Sequence, residues 1–248
     1  MNSKDIKVIF FDVGATLRVV IEDAEYSYAA EEELMKLVGA TMPHDEFVEM
    51  LTERWENYRQ YSKKSLLDVS EMELWMHKLL PDYPPELTSK NAARLTRLWR
   101  NHDGRRDFRP GTVETIKELA KRGYKLGIIA NTVTETEIPD WMVEYGVAHL
   151  FEATLLSSKV RIRKPDPAIY LLAARAAGVE PSDCAYVGDN PNRDVDGTID
   201  AGYSVMVRID DLDKPSKEKA SKKHEPHYII HEMKELLDIF PPKEGGLD

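Results

Sequence analysis

The stretch VIFFDVGATL, residues 8–17, drives four apolar residues straight into a carboxylate, Asp12, and then into a turn of small residues. A short β-branched and aromatic run that ends at a turn reads as a strand buried on both faces, here over residues 6–12. In an open parallel sheet, side chains and helix N-termini converge outside the carboxyl ends of the strands. A bare aspartate at such an end is therefore a candidate functional group, provided that the chain supplies the rest of the sheet.

The second half of the chain supplies it. Beyond DGRRDFRPG (103–111), Thr112–Arg122 reads as a helix stopped by Gly123, followed by the apolar strand YKLGIIA (124–130). Another strand is expected near ATLLSS (153–158), and PAIYLLAARAAG (167–178) opens on proline and ends on glycine, as helices do. CAYVG (184–188), YSVMVRI (203–209) and HYII (227–230) complete the alternation. The fold class it implies is α/β: a doubly wound parallel sheet, a Rossmann-like core, with helices on both faces.

Residues 22–102 have another character. Phe47, Leu51, Trp55 and Tyr58 fall at helical spacing behind Pro43, and Ser70 with Glu73 makes a capping-box pattern ahead of Leu74, Trp75 and Leu79. Asp23–Val38, stopped by Gly39, and Leu87–Trp99 read as two more amphipathic helices. No strand is expected in this stretch, which reads as an all-helical unit of about four helices inserted after the first strand. The expected division is a core of residues 1–17 and 108–248 and an inserted helical cap of residues 18–107. The aromatics Trp55, Tyr58, Trp75 and Trp99 are expected to pack the cap, not to line a substrate box.

Composition narrows the function. A net charge of −10 over 248 residues argues against nucleic acid and anionic membrane surfaces as partners. The one cysteine, Cys184, forms no internal disulfide and suits a reducing compartment. No apolar run reaches the roughly 18 residues needed to cross a bilayer, and no signal peptide is visible, so a cytoplasmic protein is expected.

Three strand ends carry chemistry: Asp12, then ANT (130–132), then VGDNPNRD (187–194), with Asp189 at the tip and Asp194 five residues on. RKPDP (163–167) adds Lys164. Asp12, Asp189 and Asp194 make an oxygen-only donor set suited to Mg²⁺, which takes one or two carboxylates, waters and a substrate phosphate oxygen. An aspartate is ionised at neutral pH and attacks without an activating base. Its obstacle is the anionic phosphate: like charges 4 Å apart repel by about 4 kcal/mol at an effective dielectric of 20. Mg²⁺ and Lys164 offset that repulsion.

FFDVGATL (10–17), LGIIANT (126–132), RKPDPAIY (163–170) and YVGDNPNRD (186–194), in this order, resemble the four motifs of the haloacid dehalogenase-like hydrolase superfamily, and the helical insert resembles its C1-type cap. The resemblance implies Asp12 as nucleophile, Lys164 as charge stabiliser and Asp189 as metal ligand. It further implies Asp194 as a residue that ligates or orients the metal, and the backbone carbonyl of Gly14 as a metal ligand. It implies a Mg²⁺-dependent phosphatase acting on a small phosphorylated metabolite through an aspartyl-phosphate. Two positions depart from the pattern. Gly14 stands where a second aspartate usually acts as general acid, an expected loss of about 10²–10⁴ in rate. Ala130 replaces the hydroxyl residue that binds the phosphoryl group, leaving Asn131 and Thr132 as the substrate-binding candidates. The alternatives are a metal-independent 2-haloacid dehalogenase, which lacks the same second aspartate, and a binding or regulatory module that has lost catalysis.

Other features read as structural. Lys159, Arg161 and Arg163 are expected on a solvated face, and DKPSKEKASKKHEP (213–226) as an exposed loop. His224, His227 and His231 are not expected to share a metal, because Pro226 interrupts them.

Overall fold

The computed structural model describes residues 5–212 and 223–243. Its strands are β1 (Val8–Phe11), β2 (Arg18–Ile21), β3 (Arg105–Phe108), β4 (Lys125–Ala130), β5 (Phe151–Leu156), β6 (Cys184–Gly188), β7 (Val205–Ile209) and β8 (Tyr228–Ile230). Six of them form one sheet in the order β5-β4-β1-β6-β7-β8, and every neighbouring pair is parallel. The chain builds outward from β1 to β4 and β5, then crosses back to lay β6 on the other side of β1. The direction of winding therefore reverses between β1 and β6, the crevice where ligands bind in open α/β sheets. Asp12 and Asp189 lie one residue beyond these two strands.

Strand β1 explains its own sequence. Ile9 and Phe11 enter one core cluster with Ile116, Leu119, Ile138 and Trp141, from helices Thr112–Lys121 and Glu137–Glu144. Val8 and Phe10 enter the opposite cluster with Ile169, Tyr170 and Val195, from helices Pro167–Ala176 and Arg193–Asp200. All four strand residues are fully buried, each such side chain contributing about 1.5–3 kcal/mol. Gly127 on β4 answers Phe10: a Cβ there would stand 2.3 Å from the Phe10 ring.

Between residues 22 and 102 the regular elements are helices: Ala24–Val38, His44–Ser65, Glu71–Leu74 running into a π-helical turn Trp75–Leu79, Pro85–Lys90 and Ala92–Asn101. They bury a core of their own around Leu34, Phe47, Tyr58, Trp75 and Trp99. Their ends follow the sequence signals. Asp23 caps the first helix by accepting from the Tyr26 N–H, Gly39 closes it in the left-handed region, and Ser70 with Glu73 forms the capping box.

Two expectations for this stretch give way. The helix read over Leu87–Trp99 is two helices, broken at Asn91, whose backbone leaves the helical region and whose side-chain amide donates to the Leu87 carbonyl. The segment 18–107 is not helical throughout, for it begins and ends on β2 and β3. These pair antiparallel as a two-stranded ribbon, Arg18 opposite Phe108 and Ile21 opposite Arg105. Four residues are too short a run to betray a strand, and each strand finds its partner only when the insert closes.

Candidate active site

Asp12 follows β1 directly, and its N–H donates to the Val187 carbonyl at 2.9 Å, so the sheet fixes its backbone. Arg109, just past β3, holds the next turn by donating to the carbonyls of Ala15 (2.6 Å) and Thr16 (3.2 Å). Gly14 is exposed in that turn, and a Cβ built on it meets nothing within 4 Å.

Lys164 is buried to its tip. Its Nζ donates to Asp12 Oδ1 at 2.8 Å and to the Tyr186 hydroxyl at 2.5 Å, and lies 2.8 Å from Asp194 Oδ1. The Tyr186 hydroxyl in turn donates to the Ile129 carbonyl at 3.0 Å. Asn131 grips the lysine's backbone from both sides: its Oδ1 accepts the Lys164 N–H at 2.8 Å and its Nδ2 donates to the Lys164 carbonyl at 2.9 Å. Thr132 is also engaged within the protein, donating its N–H to Ser157 Oγ and accepting the Thr134 N–H on its hydroxyl.

Asp194 sits in the first turn of helix Arg193–Asp200, where the backbone dipole favours an anion, and its Oδ2 accepts the Asn190 N–H at 2.9 Å. Gly188 lets it approach, since a Cβ at that position would stand 2.6 Å from Asp194 Oδ2.

Asp12, Asp189 and Asp194 thus meet, one carboxylate oxygen of each lying within 4.8 Å of the others. Burial opposes ionisation of Asp12, but Lys164 and Arg193 outweigh it and hold that carboxyl below its ordinary range. Asp189 fares the other way: burial, then the charges of Asp12 and Asp194, push it up to about 8. A carboxylate trio that raises one member so far is short of positive charge, and the donors are all oxygens. This set fits a hard divalent cation. A cavity of about 630 Å³ opens beside Asp189, lined in part by Ala15, Val20, Arg109, Ile209 and His231.

The inserted helices touch this machinery. Leu67 pairs with Ile162 in an antiparallel bridge, the Arg163 N–H donates to the Leu66 carbonyl at 3.1 Å, and Arg161 pairs with Glu73. Arg163 is no solvated residue, for its guanidinium reaches Asp68, a carboxylate 1% exposed. Glu71 and Glu135 accept each other's backbone N–H at 2.8 and 3.1 Å respectively. Glu137 takes Arg18 at 2.8 Å and Arg100 on its two oxygens.

Sequence reasoning brought Asp12, Asp189 and Asp194 to strand ends and added Lys164 from the RKPDP segment, and the four meet in space. It passed over Tyr186, Arg109 and Arg193. A tyrosine in a fully buried strand needs a partner for its hydroxyl, and Arg193 stands next to Asp194 in the motif that carries Asp189, so both left a signal. The three histidines disperse: His224 faces Asp200, His227 Nδ1 accepts the Met206 N–H, and His231 lies against the Asp210 carbonyl. The lysine-rich loop expected over 213–226 lies outside the described residues up to 222.

A family profile described as haloacid dehalogenase-like hydrolase matches residues 6–202. A glyceraldehyde 3-phosphate phosphatase of Methanopyrus kandleri is 26% identical over 240 residues, 94% of this chain and 97% of that protein. A phosphoserine phosphatase of Thermus thermophilus is 34% identical over 122 residues, 49% of this chain and 47% of that one. A 2-haloacid dehalogenase from Pseudomonas syringae shares the fold, with a TM-score of 0.64 at 22% identity over 94% of this chain and 97% of the other.

Proposed function

This chain belongs to the haloacid dehalogenase-like hydrolase family, and from that premise we propose that it is a Mg²⁺-dependent phosphatase of a small phosphorylated metabolite, working through an aspartyl-phosphate on Asp12 and slowed by glycine at position 14. The observation that carries this reading is the convergence of Asp12, Asp189 and Asp194 on one point beside a buried lysine. Relatives named as phosphatases support it. Dehalogenation by Asp12 has no use for Asp189 and Asp194 as metal ligands. The cytoplasm is its proposed compartment, and among the described residues no helix is long and apolar enough to cross a membrane.

In this mechanism Lys164 holds Asp12 Oδ1, which leaves Oδ2 to attack phosphorus. The Oδ2–P bond forms as the bond to the leaving oxygen breaks, and that oxygen takes its proton from solvent because Gly14 offers none. Water then attacks phosphorus, frees the Asp12 carboxylate and releases inorganic phosphate. Asn131 and Thr132 are the substrate-binding candidates in this reading, Asn131 acting through the Lys164 backbone it clamps. Asp12, Asp189, Asp194 and the Gly14 carbonyl are the groups that would hold Mg²⁺, which supplies positive charge to offset repulsion between Asp12 and the phosphoryl oxygens.

The test is a panel of phosphate esters assayed with Mg²⁺ against the Asp12→Asn variant. Turnover that both EDTA and Asp12→Asn abolish is expected. Activity no greater than that of Asp12→Asn on every ester overturns the proposal, and halide release from a 2-haloacid in EDTA would establish the dehalogenase instead.

A further inference from the structure

Three carboxylates meet at the ends of β1 and β6, and two cations of the chain itself answer them. Lys164 does so at hydrogen-bond distance. Arg193 does not. Its Nη2 lies 3.4 Å from Asp189 Oδ1 and 3.5 Å from Asp12 Oδ2, and its Nε lies 3.8 Å from Asp194 Oδ1. Charge-assisted pairs normally close to about 2.7–2.9 Å. The Nε is buried yet has no hydrogen-bond partner among the described residues, while the side chain as a whole is 32% exposed. The backbone beneath it is firmly held: the Arg193 N–H donates to Asn190 Oδ1 at 2.8 Å, and its carbonyl accepts the Tyr170 hydroxyl at 2.7 Å. A fixed backbone thus carries a loosely seated guanidinium that faces all three acids and holds them only at 3.4–3.8 Å.

We propose that Arg193 is a built-in counter-cation that competes with Mg²⁺ for the three carboxylates. With the metal absent it holds Asp12, Asp189 and Asp194 together. When the metal arrives, the guanidinium withdraws on its flexible stem toward the solvent it already touches. Once the metal has displaced the proton of Asp189, three ionised aspartates against Lys164 and Arg193 leave one net negative charge, whereas without Arg193 they would leave two, and the pull on a divalent cation would be stronger. Arg193 therefore sets how much Mg²⁺ the site needs. This inference rests on the Mg²⁺ reading above and extends it to a residue with no assigned part.

The test is Mg²⁺ titration calorimetry on the chelator-treated full chain, for the wild type, Arg193→Gln and Arg193→Lys, together with melting temperatures in EDTA. Arg193→Gln is expected to bind Mg²⁺ about tenfold more tightly than the wild type and to melt lower in EDTA. Arg193→Lys, which keeps the charge, should stay near the wild type on both counts. Arg193→Met, which keeps the apolar stem, repeats the comparison should the glutamine variant fail to fold. Affinity in the neutral variants equal to or weaker than that of the wild type overturns the inference while leaving the metal reading intact. Heat signals that show no Mg²⁺ binding by any of the proteins overturn both.

Discussion

Arg163, the residue before Lys164, donates from Nη1 to Asp68 Oδ1 at 2.9 Å, so the inserted helices are bonded to the very loop that carries the buried lysine. The same Asp68 oxygen accepts the Tyr58 hydroxyl at 2.7 Å, and the Leu67–Ile162 bridge runs alongside. The insert is thereby coupled to the site through Lys164, not only laid over it.

Removing that acceptor should show in both stability and chemistry. Asp68→Ala removes the acceptor of the Tyr58 hydroxyl and leaves the Arg163 guanidinium, still bonded to the Ser62 hydroxyl, without its anion, a loss of about 3 kcal/mol. A clear fall in melting temperature and in turnover is expected, whereas substitution at the exposed Glu56–Arg59 pair should change neither. An Asp68→Ala protein as stable as the wild type would show that the contact does not couple insert and core.

Glu137 should govern acid stability. Burial works to raise its carboxyl, but Arg100, Arg18 and Arg106 outweigh burial and hold it at about 2, against an ordinary 4.5. A depressed pKa in the folded state gives stability that is complete above 4.5 and is lost as pH falls toward 2. Glu137→Gln should be less stable at neutral pH by about 3 kcal/mol and show a shallower loss between these limits. Denaturant melts across that range provide the measurement.

Asp189 should make Mg²⁺ binding pH-dependent. Raised to about 8 by burial and its two acidic neighbours, it carries a proton at lower pH that the metal has to displace. Affinity should therefore climb as pH rises to about 8 and level off above it. Calorimetry in buffers of differing ionisation enthalpy should record about one proton released per ion at neutral pH, and less above the plateau. No proton release at neutral pH would mean that Asp189 is already ionised there.

Gly188→Ala probes how closely Asp194 packs on the strand end. The new Cβ would stand 2.6 Å from Asp194 Oδ2 and force that carboxylate off the Asn190 N–H. A destabilisation of about 1–3 kcal/mol and at least about tenfold weaker Mg²⁺ binding are expected. Calorimetry would register unchanged affinity if Asp194 plays no part in the metal site.

Gly14 should set the kinetics. Aryl and acyl phosphates have good leaving groups and should phosphorylate Asp12 once, quickly, and then stall because water has no base to activate it. The expected trace is a burst of one product equivalent per site, then slow turnover that scarcely depends on the leaving group. A Cβ at Gly14 meets nothing within 4 Å, and Gly14→Asp should speed the slow phase, up to about 10²–10⁴-fold. Rapid-quench time courses that are linear from the start, with rates that track leaving-group pKa, would show that breakdown of the intermediate is not limiting.

The sequence by itself determined what local patterns encode. The doubly buried β1 run, the caps at Asp23, Gly39 and Ser70, and the placing of Asp12, Asp189 and Asp194 at or just past strand ends all follow from neighbours within a few residues. Periodicity and capping are short-range physics, so a single chain read in order displays them. The break at Asn91 is short-range too, but its propensities are too weak to separate one helix from two. Only the tertiary structure decided the rest. The β2–β3 ribbon, the grip of Asn131 on the Lys164 backbone, the Tyr186 bond to Lys164 and the Arg163–Asp68 pair each join residues far apart in the chain. Their partners are chosen by which surfaces the packed sheet and helices bring together, and by the need to pair every polar group that packing buries.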